Sequence, residues 1–133
     1  MHGLDAAAEW FLGLNGFFTV QTFIIHPVTP EEGSQQRTNA DVLGIRFPMR
    51  REVVGGNALT DHPAFQDETR PIFVIAEVKT GRCRLNGPWS NAEKENVTNV
   101  LRSFGQMSSA SLDTISKALY ESGRFRTDDL DVS

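Results

Sequence analysis

Three side chains in this sequence have the types and spacing for hydrolytic chemistry: Asp41, Glu77 and Lys79. Glu77 and Lys79 are separated by one residue at the end of the segment 71–79 (PIFVIAEVK), which reads as a β-strand. Side chains alternate across a strand, so the carboxylate and the ammonium project from one face and Val78 from the other. Asp41 lies in the preceding strand-like segment, 39–47 (NADVLGIRF). Pairing of the two strands would set Asp41 beside Glu77. Two carboxylates offering oxygen ligands suit a hard cation such as Mg²⁺ or Mn²⁺. Such an ion polarises a phosphate and offsets the charge that develops on it, while an ammonium close by orients the attacking water. Glu-x-Lys alone is a common solvated pair. Its context distinguishes it here: Glu77 follows the continuously apolar run Ile72–Ala76, and Asp41 is bracketed by Ala40 and Val42-Leu43. Charges at the end of a buried strand are costly unless paired or metal-bound. Polar residues in a core-like strand are the local inconsistency that marks functional sites.

The elements that must position these groups follow from the hydrophobic pattern. Residues 4–14 (LDAAAEWFLGL) predict a short amphipathic helix with Leu4, Ala7, Ala8, Phe11 and Leu14 near one face, stopped by Asn15-Gly16. Residues 17–25 (FFTVQTFII) predict a strand ended by His26-Pro27, followed by a polar loop over 27–38. The stretch 48–70, with Gly55-Gly56 and His62-Pro63, predicts a long irregular insertion with room for one short helical turn. The continuous apolar centre of 71–79 marks a strand covered on both faces. A loop runs from Thr80-Gly81 through Pro88. Ser90 and Glu93 then form a capping-box pattern for a helix over 91–103, stopping near Gly105. A last helix over about 111–122 carries Leu112, Ile115 and Leu119 on one face and ends at Gly123. The acidic tail is expected to be frayed, and any further strand short or missing. The order α-β-β-β-α-α implies a single α/β (α+β) domain over 1–133, a central mixed β-sheet flanked by helices.

Composition bounds the function. The 133 residues are 39% hydrophobic and 23% charged, a globular mix in a chain of one-domain size. No run reaches the roughly 18 apolar residues of a membrane helix, and no secretory signal is visible, so no membrane partner is expected. Cys83 is the one cysteine, which excludes an internal disulfide and a multi-thiolate zinc site and makes a reducing, cytoplasmic setting the default. The net charge of −4 argues against a uniformly basic nucleic-acid binder. Its distribution says more: residues 35–90 hold eight basic and six acidic residues, a local balance of +2 around the candidate site. For each of Arg46, Arg50, Arg51, Arg82 and Arg84, solvated surface is an equally good reading.

At this point the sequence resembles the PD-(D/E)XK nuclease superfamily. The matching residues are Asn39-Ala40-Asp41 for the first motif and Glu77-Val78-Lys79 for the second, in the order helix, strand, strand with Asp, strand with Glu-x-Lys, helix. The likeness spans roughly residues 4–104. It implies a restriction endonuclease-like αβββα core and phosphodiester hydrolysis, with Asp41, Glu77 and the carbonyl oxygen of Val78 as ligands to Mg²⁺ or Mn²⁺ and Lys79 near the attacking water. Two departures stand out. Ala40 replaces the proline of the first motif, and the 36-residue gap from Asp41 to Glu77 requires the 48–70 insertion to loop out. Many members also carry an acidic residue on the first helix. Asp5 and Glu9 are the candidates, with Glu9 preferred because Trp10 and Phe11 would anchor that turn.

DNA is the partner this reading implies, and a homodimer is left open. Arg82 and Arg84 follow the catalytic segment directly and are candidates for phosphate contacts. Trp89 offers a stacking surface, although packing at the helix entry is the stronger reading. Asn96 and Asn99 lie on the next helix without a spacing that demands a role. His26, His62 and Cys83 are assigned none. Two other readings compete: a non-catalytic nucleic-acid or protein interaction domain on the same fold, and a metal-free domain in which Glu77 and Lys79 form an ordinary ion pair.

Overall fold

The structure, a computed structural model, describes residues 3–26, 38–67, 69–91 and 95–133. The polar loop expected over 27–38 lies almost wholly outside the described residues, as does Glu93 of the capping-box pattern. The elements are α1 (Gly3–Leu14), β1 (Phe18–Ile25), β2 (Thr38–Arg46), β3 (Val53–Val54), β4 (Asn57–Ala58), a 3₁₀ turn (Pro63–Phe65), β5 (Ile72–Ala76), α2 (Gly87–Ser90), α3 (Asn96–Phe104), α4 (Ser109–Ser122), β6 (Phe125–Arg126) and β7 (Asp131–Val132). Five strands make one mixed sheet in the order β1-β2-β5-β7-β6, and β3 and β4 form a separate hairpin. β5 and β7 run parallel and the other neighbours antiparallel. Among the described residues no helix is long and apolar enough to cross a membrane.

The alternation of β5 explains the layers. Ile72, Val74 and Ala76 face α1 with Leu12, Phe17 and Val42. Phe73 and Ile75 face the opposite core, filled by Val97, Val100 and Leu101 of α3 and Leu112 and Ile115 of α4. A strand covered on both faces needs an unbroken apolar run, which Ile72–Ala76 supplies. Burying a side chain such as Leu101 or Ile115 stabilises the fold by about 1.5–3 kcal/mol relative to exposure.

Several expectations change. The strand expected over 71–79 stops at Ala76, so Glu77, Val78 and Lys79 lie just beyond it. The expected apolar face of α1 is rotated: Leu12 is buried, while Leu4, Phe11 and Leu14 are exposed. The turn at its end sets this rotation. The Phe17 N–H donates to Leu12 O, and Gly16 takes a left-handed φ of 84°, seating Phe17 under the helix. The helix expected from residue 91 begins at Asn96, preceded by Glu95 in a left-handed conformation, and Ser90 closes α2 instead of opening a helix. The tail is not frayed. Val132 is fully buried in the second core, and β7 adds a parallel strand beside β5. The insertion 48–70 contains the β3–β4 hairpin and the 3₁₀ turn.

Candidate functional site

Asp41 stands where two strands turn over. In the β1–β2 ladder Gln21 pairs with Val42 and Phe23 with Ala40, and the pairing passes over Thr22 and Asp41 between them. Residues two apart on a regular strand share a face. Val42 instead packs under α1 and Ala40 in the core under α3 and α4. The same reversal occurs on β1, where Gln21 reaches Glu9 of α1 and Phe23 joins the other core. Thr22 makes the turn with φ of 50°, a left-handed conformation that is strained for a β-branched residue. Asp41 is thereby kept out of either apolar layer, which resolves the inconsistency of a carboxylate inside a core-like strand.

The freed carboxylate ties β2 to the segment beyond β5. Asp41 Oδ2 accepts the Val78 N–H at 2.7 Å, and Oδ1 accepts Asn39 Nδ2 at 3.4 Å. Extending the β2–β5 register past Val42 and Ala76 sets Asp41 opposite Glu77. Because β5 has ended, the bond from Val78 replaces the next rung of the ladder. Lys79 Nζ donates to Glu77 Oε1 at 2.8 Å, and the Glu77 side chain is only 10% exposed. A second partner comes from the following loop: Asn86 Oδ1 accepts from Lys79 Nζ at 2.7 Å, and the Asn86 N–H donates to Glu77 Oε2 at 3.2 Å. Asn86 is also the N-cap of α2, yet its side chain makes no cap hydrogen bond. An N-cap side chain typically contributes about 1 kcal/mol to a helix. Sequence reasoning passed over Asn86, and the Asn-Gly-Pro run that opens α2 was its visible signal.

These groups divide between two clefts. Asp41, Val78, Lys79 and Thr80 border a cleft of about 700 Å³ closed on its other side by Gly3, Leu4 and Asp5 of α1. Glu77 borders a smaller cavity of about 170 Å³ with Ile75, Leu85, Trp89 and Val97. Lys79 links them: it borders the cleft of Asp41, and its ammonium bonds Glu77. Between the two acidic candidates of α1, Asp5 borders this cleft. The preferred Glu9 is engaged elsewhere, accepting from Thr19 Oγ1 at 3.2 Å and from the Gln21 side-chain amide. Arg82 and Arg84 lie exposed on the loop between Lys79 and Asn86. Trp89 is buried in the core, so it packs and offers no open stacking face. Asn96 is fully buried and donates to Pro88 O at 2.8 Å, which holds α2 against α3.

The opposite end of the sheet holds the polar network that sequence reasoning missed. Arg46 is 4% exposed, far from the solvated surface residue allowed above. Its guanidinium donates to Asn15 O at 3.1 Å, Asp67 O at 3.1 Å and Asp61 Oδ2 at 2.5 Å. Arg50 also pairs with Asp61, at 2.5 Å, and with Glu52. This end fixes the 48–70 insertion to the sheet.

The donor set at the Asp41 end fits a hard cation in kind. A carboxylate has about four lone-pair positions, and Asp41 and Glu77 each use two for the hydrogen bonds named above. Mg²⁺ is commonly held by one or two carboxylates, with water completing its shell. Among the described residues no three His, Cys, Asp or Glu side chains converge as a metal-holding group. Any cation here would therefore draw on backbone oxygen and water as well. Comparison with protein-family models, curated proteins and solved structures found no match.

Proposed function

We propose that this protein is a metal-dependent nuclease-like enzyme that hydrolyses phosphodiester bonds in DNA, of the PD-(D/E)XK kind. Asp41 and Glu77, with the carbonyl oxygen of Val78, would hold Mg²⁺ or Mn²⁺. Bound there, the ion would polarise the phosphate and stabilise the charge developing on it. Lys79 orients the attacking water from the side of the Asp41 cleft. The water oxygen bonds to phosphorus and gives up a proton to solvent, the bond to the leaving sugar oxygen breaks, and that oxygen takes a proton from solvent. Arg82 and Arg84 supply phosphate contacts.

The observation that carries this reading is the bond from the Val78 N–H to Asp41. It joins the β2 carboxylate to the Glu-x-Lys segment, and a merely solvated Glu-x-Lys pair has no use for it. A second reading has its own support in the 2.8 Å ion pair between Lys79 and Glu77, which a metal-free structural role also requires. Lys79→Ala separates the two. The nuclease reading expects cleavage of DNA with Mg²⁺ or Mn²⁺ to fall by roughly a hundredfold or more, the scale of a lost positioning group, with no rescue by Lys79→Arg, whose planar fork does not reproduce the donor geometry of an ammonium. The structural reading expects lower stability, partial rescue by arginine and no cleavage to lose.

A further inference from the structure

We infer that Asn86 is a positioning residue for Lys79, an assignment that rests on the nuclease reading above. An ammonium has three donors. Glu77 Oε1 takes one at 2.8 Å and Asn86 Oδ1 another at 2.7 Å, which leaves one for a water or a phosphate oxygen. A lysine side chain has four rotatable bonds, so a single partner holds its head loosely. Two acceptors from separate segments fix both the place of the nitrogen and the direction of its remaining N–H.

Asn86 is equipped for this from both its side chain and its backbone. Its N–H donates to Glu77 Oε2, so the same residue grips both members of the pair. Its carbonyl meanwhile accepts from the N–H groups of Trp89 and Ser90, anchoring it to α2. Trp89 in turn is buried in the core under α3 and α4. Lys79 is thus referenced to the helical layer through Asn86 and to the sheet through Glu77. The side chain does this in place of capping α2. A local preference given up at a candidate site, for a contact to its central ammonium, is the pattern expected of a functional constraint.

The Asn86 side chain bonds Lys79, and its effect runs through Lys79. Asn86→Ala should therefore lower kcat for DNA cleavage about tenfold to a hundredfold, the scale of a misplaced reacting group, with KM and the Mn²⁺ dissociation constant unchanged. Asn86→Asp, which keeps the acceptor, should retain most of the activity. Asn86→Ala combined with Lys79→Ala should be no slower than Lys79→Ala alone. Because the side chain caps nothing and its bond to Lys79 is exposed, the thermal midpoint of Asn86→Ala should fall only slightly below wild type. NMR relaxation at Lys79 Cε should show a rigid head in wild type and Asn86→Asp and a mobile one in Asn86→Ala, with or without metal. A Lys79 head equally rigid in all three, or a wild type that cleaves DNA while Asn86→Ala cleaves it equally fast, overturns the Asn86 assignment and leaves the nuclease reading standing. A wild type that cleaves no DNA with either metal overturns the nuclease reading, and the catalytic role of Asn86 with it.

Discussion

Asp41 is the residue on which the candidate site turns. Among the described residues it is the carboxylate that both borders the α1 cleft and bonds the Glu-x-Lys segment. If it holds Mn²⁺, the ion stabilises the native state by mass action, by about 2.7 kcal/mol at a hundred times its dissociation constant. Thermal shift with and without Mn²⁺ therefore checks two side chains at once. Wild type should shift upward, and Asp41→Ala should lose the shift. Glu9→Gln should keep it in full, because Glu9 is bonded to Thr19 and Gln21 of β1. Equal shifts in wild type and Asp41→Ala would count against the site. Much of this was legible in sequence, because an Asp among Ala40, Val42 and Leu43 and a Glu-x-Lys after an apolar run both break the local pattern. The choice between Asp5 and Glu9 was not. It depends on the rotation of α1, which the Gly16 turn and the burial of Phe17 set, and several apolar residues of that helix remain exposed, so its hydrophobic pattern misleads.

At the scale of the element, the reversal at Thr22 and Asp41 matters most. A regular β1 would favour Thr at position 22, since β-branched residues suit strands. Here the φ of 50° reverses that preference. A left-handed conformation costs a non-glycine residue about 1–2 kcal/mol, and glycine in a strand costs roughly 0.5–1 kcal/mol in entropy. Thr22→Gly should therefore stabilise the protein by about 0.5–1 kcal/mol, whereas a regular strand would lose about that much. The midpoint of urea denaturation decides the sign. The core segments of β1, β2 and β5 were readable because their periods are strong. The end of β5 was not: Glu77 to Lys79 continue the alternation in sequence, and the strand stops because the next rung is made by the Asp41 side chain instead of the β2 backbone. The start of α3 was hidden for a related reason. Ser90 and Glu93 match a capping box, but the Gly87-Pro88 pair starts a separate turn at α2 first.

Over the whole molecule the sheet has two polar ends with different tasks. The Asp41 end gathers the candidate catalytic groups, and the other end carries ion pairs joining the insertion, β2 and the C-terminal strands. No sequence pattern announced the second, since its partners are scattered from Asn15 to Asp131. Asp67 links its parts. It accepts from the Thr69 N–H and hydroxyl at 3.0 and 2.9 Å, pairs with Arg70 at 2.6 Å and meets Arg126 at 3.3 Å. Arg126 and Arg124 also reach Asp131 of β7, beside the buried Val132. Burial pushes the Asp67 carboxyl up, but the hydrogen bonds from Thr69, the charge of Arg70 and the Arg70 N–H hold it below its ordinary value. A carboxyl whose folded value is depressed binds its proton more readily in the unfolded chain. Its stabilising contribution is complete above the unfolded value of about 3.9 and is lost as pH falls through the lower folded value. Asp67→Asn should accordingly destabilise the fold at pH 7 by about 2 kcal/mol, the scale of hydrogen bonds to a charged group. The gap between variant and wild type should stay constant from pH 7 down to about 5 and narrow below about pH 4. Urea denaturation of both proteins across that range measures it. A gap that is unchanged at pH 3 would mean that Asp67 acts here through shape and neutral hydrogen bonds, with its charge contributing nothing.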